Sequence, residues 1–496
     1  MKRYFSRRVF LGGALSALAG GAMAGAPAVS LRPVARPEDG AARLAPGAAA
    51  LIEKARLSGQ VGFAVAEAGT GRVLEEHAGA TGLPPASVTK AVTALYALDT
   101  LGPDYRFTTR LIATGVLDNG VLKGDLILAG GGDPTLDTRA LASLAEGMKA
   151  AGMFELRGRF LVWGGALPFK RAIDERQPEH VGYNPALSGL NLNFNRVHFE
   201  WKRAGGKYEV SMDARAGRYR PDVTVARMQV ADRRGPVYSY EDAGARDDWS
   251  VARGALGSGG ARWLPVRKPE LYAAEVFATL ARSHGIALGK AEVIDDLPAG
   301  SVFVTHHSVP LDGILRDMLK YSTNLTAELV GLTATAQRQG RPLPLERSAQ
   351  AMSAWAAEDL EMAGTDLRDH SGLSDRSRLT AAAMAQGLAR ARGSDLLRPL
   401  LRAHRMRDAN GRVDRDHPVE VRAKTGTLYF VSGLAGYVTT PQGADLTFAI
   451  FTSSDSLRAR LDTARDERPP GARAWNGRAK KLQQALIERW SAVHDG

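Results

Sequence analysis

Two strand–turn–strand patterns stand at opposite ends of this 496-residue chain, and they limit its fold more than any other feature. Val61 to Glu67 and Arg72 to Glu76 flank Ala68-Gly69-Thr70-Gly71. Val431 to Thr439 and Asp445 to Thr452 flank Thr440-Pro441-Gln442-Gly443. β-type runs around a short Gly-containing turn read as hairpins. Val421 to Thr427 adds a strand before the second pair. Five strands with short connections predict one antiparallel sheet built from both chain ends. Helices should flank it, giving an α+β fold. Val88, Val92 and Leu95 share one face of Ala86 to Leu98. Leu482, Leu486 and Trp490 stand four apart in Ala472 to His494, which reads as a packing helix despite Arg478, Lys480 and Lys481.

Between about Tyr105 and Val304 the chain is mixed in character. Gly124 to Leu128 reads as a strand running into Gly130-Gly131-Gly132-Asp133-Pro134. Tyr208 to Met212 and Asp222 to Val230 read as strands, and Glu270 to Ala281 as a helix closed by His284-Gly285. A region of this size is too long for a loop. It is read as inserted accessory domains over 109–305, with 45–108 and 306–494 forming one discontinuous domain.

Ser6-Arg7-Arg8-Val9-Phe10-Leu11 is a twin-arginine pattern, followed by an apolar Gly/Ala-rich stretch to about Ala24. Ala22-Met23-Ala24 fits the small-x-small cleavage rule. Residues 1–24 are therefore expected to be a cleaved twin-arginine (Tat) signal that engages the Tat export machinery, and the mature protein to be periplasmic. The stretch is short and poor at spanning a bilayer; loose membrane association stays open. Removing its four cations, Lys2, Arg3, Arg7 and Arg8, from a net charge of +12 leaves +8. Such a surface is simply solvated or attracts an anionic polymer. In the periplasm that polymer is cell-wall peptide. No cluster of basic and aromatic residues marks a nucleic-acid face. The absence of cysteine excludes thiol catalysis, disulfides and Cys-based zinc sites. The oligomeric state is not legible.

Three motifs follow in order: Ser87-Val88-Thr89-Lys90, Ser322-Thr323-Asn324 and Lys424-Thr425-Gly426. Pro84 and Pro85 mark a helix start, which puts Ser87 in the first turn near unpaired N–H groups and the positive dipole end. Lys90 lies about one turn on, on the same face. A serine hydroxyl is a poor nucleophile until a base takes its proton. Lysine can be that base only with a lowered pKa, which burial, the helix N-terminus and a second cation such as Lys424 would supply. Ser322 and Asn324 stand between helix-like runs, Leu311 to Leu319 and Leu325 to Leu332, and read either as helix caps or as a proton relay and a substrate-amide holder. Strand alternation sends Lys424 and Gly426 to one face. Gly426 leaves that face open for the Ser87 helix and a substrate backbone. Thr427 offers an N–H to an oxyanion and a hydroxyl to a carboxylate.

Other candidates are weaker. His306-His307 lacks an H-E-x-x-H or comparable carboxylate arrangement, so no metal or other cofactor is expected. Gly132-Asp133-Pro134 reads as a tight turn. Asp369-His370-Ser371 are neighbours in a Gly-containing turn and cannot easily form a Ser-His-Asp triad.

The ordered set resembles that of penicillin-interacting serine enzymes. The chain is similar to the low-molecular-mass class C penicillin-binding proteins, the S13 D-alanyl-D-alanine carboxypeptidases/endopeptidases. The resemblance covers most of the mature chain. It includes Leu122-Lys123-Gly124-Asp125-Leu126 with Gly131 to Leu136, Tyr183-Asn184-Pro185 with Leu192-Asn193-Phe194-Asn195, Asn324-Leu325-Thr326-Ala327-Glu328, Ser371-Gly372-Leu373-Ser374 and Lys424 to Leu428. It implies a penicilloyl-serine-transferase (β-lactamase/transpeptidase-like) fold split by inserted domains. It implies Ser87 as acyl-enzyme nucleophile, Lys90 as its base, and Ser322, Asn324 and Lys424 as the supporting polar set. Thr425, Gly426 and Thr427 would bind substrate, and the backbone N–H groups of Ser87 and Thr427 would form the oxyanion hole. Substrates would be peptidoglycan stem peptides, with β-lactams as inhibitors. Thr323 stands where an acidic or amide residue is expected, and His370 where Gly is expected; both departures are assigned to the rim of the site. A serine β-lactamase shares fold and motifs, but no E-x-x-L-N segment is evident and the insert is long. A catalytically silent wall-binding protein is the other alternative, against which the three intact motifs speak.

Overall fold

The terminal hairpins meet in one sheet. A computed structural model describes residues 45–408, 410–462 and 469–495; the twin-arginine segment lies outside them. The first hairpin is β1 (Gln60–Glu67) and β2 (Val73–His77). From the chain's other end come β8 (Glu420–Leu428), β9 (Val431–Thr439) and β10 (Asp445–Ser453). The order is β8-β9-β10-β1-β2, antiparallel throughout, with β1 registered on β10 from Gln60↔Ser453 to Glu67↔Leu446. Alternation divides the two faces. Phe63, Val65, Phe448 and Ile450 pack against Leu482, Leu486, Ile487 and Trp490 of α6 (Ala472–Val493). Ala64, Ala435, Ala449 and Phe451 face the opposite layer.

That layer holds α2 (Thr89–Leu101), α3 (Leu311–Tyr321), α4 (Asn324–Gln339) and α5 (Ala381–Ala391); a shorter α1 (Ala48–Ala55) packs with α6. The sequence pattern gave α2 one apolar face, but Thr89 through Leu98 are all buried. Leu315 and Met318 of α3 and Ala327 and Val330 of α4 cover the side turned away from the sheet. A helix buried all round is a core element.

After α2 the chain departs through β3 (Thr108–Ala113) and returns through β7 (Ser301–His307), its antiparallel partner from Thr108↔His307 to Ala113↔Ser301. These strands belong to a second five-stranded sheet, β6-β5-β4-β3-β7, with β4 (Leu126–Gly130), β5 (Phe160–Trp163) and β6 (Ala291–Ile294). Three three-stranded sheets complete the intervening region. The strand expected over Asp222 to Val230 begins only at Ala226. The cause is Glu275 on the helix Pro269–Ser283, whose carboxylate accepts the Thr224 and Val225 N–H groups at 2.7 and 2.8 Å and takes them out of the ladder.

Trp490 is fully buried, with its ring 5.6 Å from Phe63 and 5.8 Å from Phe448. Trp490→Ala should cost about 3–5 kcal/mol in denaturant unfolding. A loss below about 1 kcal/mol would contradict this packing.

Candidate active site

Two glycines on distant segments admit the chain that carries Ser87. Ala86–Val88 is a 3-10 turn, and α2 begins only at Thr89, later than the prolines suggest. Ala86 has φ +47°, a conformation alanine seldom adopts. Its carbonyl lies so near Gly372 that a Cβ there would stand 1.8 Å away. A Cβ on Gly426 would stand 2.6 Å from the Pro85 carbonyl and 3.1 Å from the Ser87 nitrogen. Lys424 and Gly426 are buried on one face of β8, while Thr425 and Thr427 are exposed on the other. The open face expected at Gly426 is therefore filled by the Ser87 segment. Ser87 is half-buried and opens on a cleft of about 1280 Å³, lined also by Gln177, Tyr183, Ser322, Asn324 and Thr427.

Lys90 is fully buried beneath that cleft. Its Nζ donates to Ser87 Oγ at 3.1 Å, Asn324 Oδ1 at 2.8 Å and the Ser371 carbonyl at 2.7 Å. An ammonium has three donors, and each has an acceptor here. Burial pulls the Lys90 pKa down, while Glu328 and Asp369 oppose the fall. Lys424 donates to Ser322 Oγ at 3.0 Å and the Thr425 carbonyl at 2.7 Å. Its pKa is lowered to about 7 by burial and then by Lys90. Lys90 has acids close by that offset its desolvation, whereas Lys424 has the Lys90 cation as its charged neighbour.

Helix capping accounts for Ser322 through its backbone, as the C-cap of α3, but not for Asn324. Ser322 ends α3 in the left-handed region at φ +59°, its N–H bonded to the Met318 carbonyl at 2.8 Å. Thr323 is extended, and α4 starts at Asn324 with no side-chain cap bond. This break turns the two side chains toward different lysines. Asn324 also donates from Nδ2 to the Tyr183 carbonyl at 3.0 Å. Thr425 contributes its carbonyl to Lys424 but no wall to the cleft, which Thr427 helps to line.

Glu328 and Asp369 are the groups that motif reading missed. Glu328 lies one turn below Asn324 on α4 and accepts the N–H groups of His370 and Ser371 at 2.9 and 3.0 Å. It thereby aims the Ser371 carbonyl at Lys90. Asp369 accepts from Gly372 and Ser374 N–H, both at 2.6 Å. Burial raises the pKa of both carboxyls. The signal for Glu328 was its i,i+4 spacing from Asn324; Asp369 had no comparable one.

Asp369, His370 and Ser371 form no triad. The His370 ring meets Ser348 Oγ at 2.7 Å and Met352 Sδ at 3.3 Å, and burial lowers its pKa to about 3. Nor is His370 at the rim. It lies beneath α4 against Gly331, where a Cβ would stand 2.2 Å from the ring. His306 Nε2 is 3.9 Å from Asp133 Oδ2, and among the described residues no three His, Cys, Asp or Glu gather to hold a metal.

The sequence model of the D-Ala-D-Ala carboxypeptidase 3 (S13) family matches residues 45–468. The chain belongs to this family. It is 28% identical over 480 residues to the D-alanyl-D-alanine carboxypeptidase of Actinomadura sp. (strain R39), covering 86% of each protein. It is 24% identical to the D-alanyl-D-alanine carboxypeptidase DacB of Haemophilus influenzae, covering 82% of this chain and 88% of that one. The crystal structure of penicillin binding protein 4 (dacB) from H. influenzae has the same fold, with TM-score 0.71, 21% identity, and 89% and 99% of the two chains covered. A second structure holds that protein complexed with a β-lactam.

In this S13 protein the Lys424 side chain should titrate near pH 7 in NMR spectra of selectively labelled lysine. In Lys90→Met the midpoint should rise, because the like-charged neighbour is gone. A wild-type midpoint near the ordinary lysine value would contradict the dry, shared site.

Proposed function

We propose that the protein is an exported serine DD-peptidase that cleaves the bond after D-alanine in peptidoglycan stem peptides and cross-links through an acyl-enzyme on Ser87. The observation that carries this reading is the environment of Lys90. A neutral amine has two N–H donors and one lone pair. Asn324 Oδ1 and the Ser371 carbonyl take the two donors. The lone pair is then left for Ser87 Oγ, 3.1 Å away. Burial favours the neutral form, which is what a general base near neutral pH requires.

Ser87 Oγ attacks the D-alanine carbonyl as Lys90 takes its proton. β8 is the edge strand of its sheet, and alternation gives Thr425 and Thr427 one backbone direction. The Thr425 carbonyl meets Lys424, so the Thr427 N–H opens on the same side. With the Ser87 N–H it would hold the oxyanion. Ser322, bonded to Lys424, relays a proton to the departing amine. The second Nδ2 hydrogen of Asn324 holds the substrate amide, and the Thr427 hydroxyl stands near the terminal carboxylate. Water then releases the acyl group. The β-lactam complex of the H. influenzae relative supports acylation of Ser87 by β-lactams. The twin-arginine motif at Arg7-Arg8 supports Tat export and a periplasmic location.

Benzylpenicillin should leave a lasting mass adduct that maps to Ser87 and is absent in Ser87→Ala. In that variant D-alanine release from a D-Ala-D-Ala peptide should fall about a thousandfold or more. Penicillin consumed without an adduct would indicate a β-lactamase, and penicillin left intact a binding protein. Gly426→Ala pushes its Cβ against the Pro85 carbonyl. It should slow acylation about a hundredfold in the folded protein, and an unchanged rate would show that this close approach does not position Ser87.

A further inference from the structure

One of the polar contacts to the candidate catalytic set comes from the inserted region. Residues 170–187 form a closed loop: Lys170 and Leu187 exchange backbone hydrogen bonds at 3.0 and 2.8 Å. Inside it, the Asn184 side chain accepts the Asp174 N–H at 2.9 Å and donates to the Asp174 carbonyl at 2.8 Å. Arg267, only 1% exposed, gathers the rest. Its guanidinium donates to the carbonyls of Arg171, Asn184 and Glu179 at 3.0, 2.7 and 2.8 Å, and to Glu179 Oε2 at 3.1 Å. Ile173 and Leu187, with Leu167 just before the loop, then seat it on Leu325, Leu329 and Leu332 of α4. At its end the Tyr183 carbonyl accepts Asn324 Nδ2.

We propose that this loop is a positioning element for catalysis: its Tyr183 carbonyl fixes which end of the Asn324 amide faces Lys90, and Arg267 is the positioning residue that holds that carbonyl in place. The inference rests on Lys90 acting as the base for Ser87. A charged Lys90 has only donors, so it selects the Asn324 oxygen unaided. A neutral Lys90 does not. Its lone pair could accept from a flipped Asn324 amide, and that hydrogen bond would occupy the site meant for the Ser87 proton. The Tyr183 carbonyl can only accept. It therefore holds Nδ2 away from Lys90 in the one protonation state that reacts.

The test is benzylpenicillin acylation of Ser87 followed by intact mass across pH in the wild type, Arg267→Met and Arg267→Lys. Arg267→Met removes the guanidinium fork while keeping much of its volume. Its maximum acylation rate should fall at least tenfold, by an order-of-magnitude loss of orientation. The alkaline-rising limb should also move down by about one pH unit, because a flipped amide donating to the lone pair stabilises the neutral amine while the Lys90 cation keeps the acceptor it selects unaided. Lys90 also faces Glu328 from α4, Asp369 from the 369–374 turn and Lys424 from β8; all remain in both variants, so a moved limb reports the changed amide. Arg267→Lys keeps a cation beside Glu179 but cannot span the three carbonyls, and should fall between. A purely structural role would lower the acylatable fraction and leave the rate and limb of the remainder unchanged. If the wild type is acylated and folded Arg267→Met keeps its rate and limb, the loop's role is overturned alone. If Arg267→Met does not fold, Arg267→Lys decides by the same criterion. A wild type that forms no adduct overturns both this inference and the reading beneath it.

Discussion

The candidate site depends on one buried amine. Lys90 is satisfied by Ser87, one turn away, and by Asn324 and Ser371, which lie 234 and 281 residues further along the chain. Those contacts hold only if α2, α4 and the 369–374 turn keep fixed relative positions. The close passages at Gly372 and Gly426 and the burial of α2 on every side supply that rigidity. A buried ammonium without its acceptors would cost several kcal/mol, so the packing of α2 and the satisfaction of Lys90 share one constraint.

Electrostatics extend the same dependence. Two lysines and two carboxyls occupy one dry region, the lysines pushed down and the carboxyls pushed up. Both kinds of shift favour the neutral form, and together they narrow the gap between donor and acceptor acidities. Glu328 and Asp369 restrain the fall at Lys90, whereas Lys424 has Lys90 as its charged neighbour. Ser322 joins Lys424 to the cleft, as Ser87 joins Lys90 to it.

What could be read in advance was local. Period-two runs around Gly-containing turns gave the hairpins and their shared sheet. The Ser87 to Lys90 spacing gave a contact within one turn, and the missing side chain at Gly426 foretold a close passage. What could not be read depends on partners far along the chain. Ala86 takes a left-handed conformation where Gly372 abuts its carbonyl. Glu275 shortens a strand some 50 residues away. Asn324 resembled a cap because Asn is common at helix starts, and only the positions of Lys90 and Tyr183 assign its amide. His370 resembled a rim substitution, and only Gly331 beneath α4 reveals the space that receives it.

The inserted region is rigidly seated for the same reason. Its entry and exit strands, β3 and β7, are hydrogen-bonded neighbours, so the polypeptide leaves and re-enters at one place. A single junction would permit hinge motion. A second junction opposes it: Leu167, Ile173 and Leu187 bury against α4, at roughly 1.5–3 kcal/mol for each fully buried side chain. The helix that receives this apolar load is the one that presents Asn324 and Glu328 on the adjoining face. α4 therefore transmits the seating of the insert to the lysine's acceptors, and the insert and the motif-bearing domain constitute one site rather than a core with an appendage.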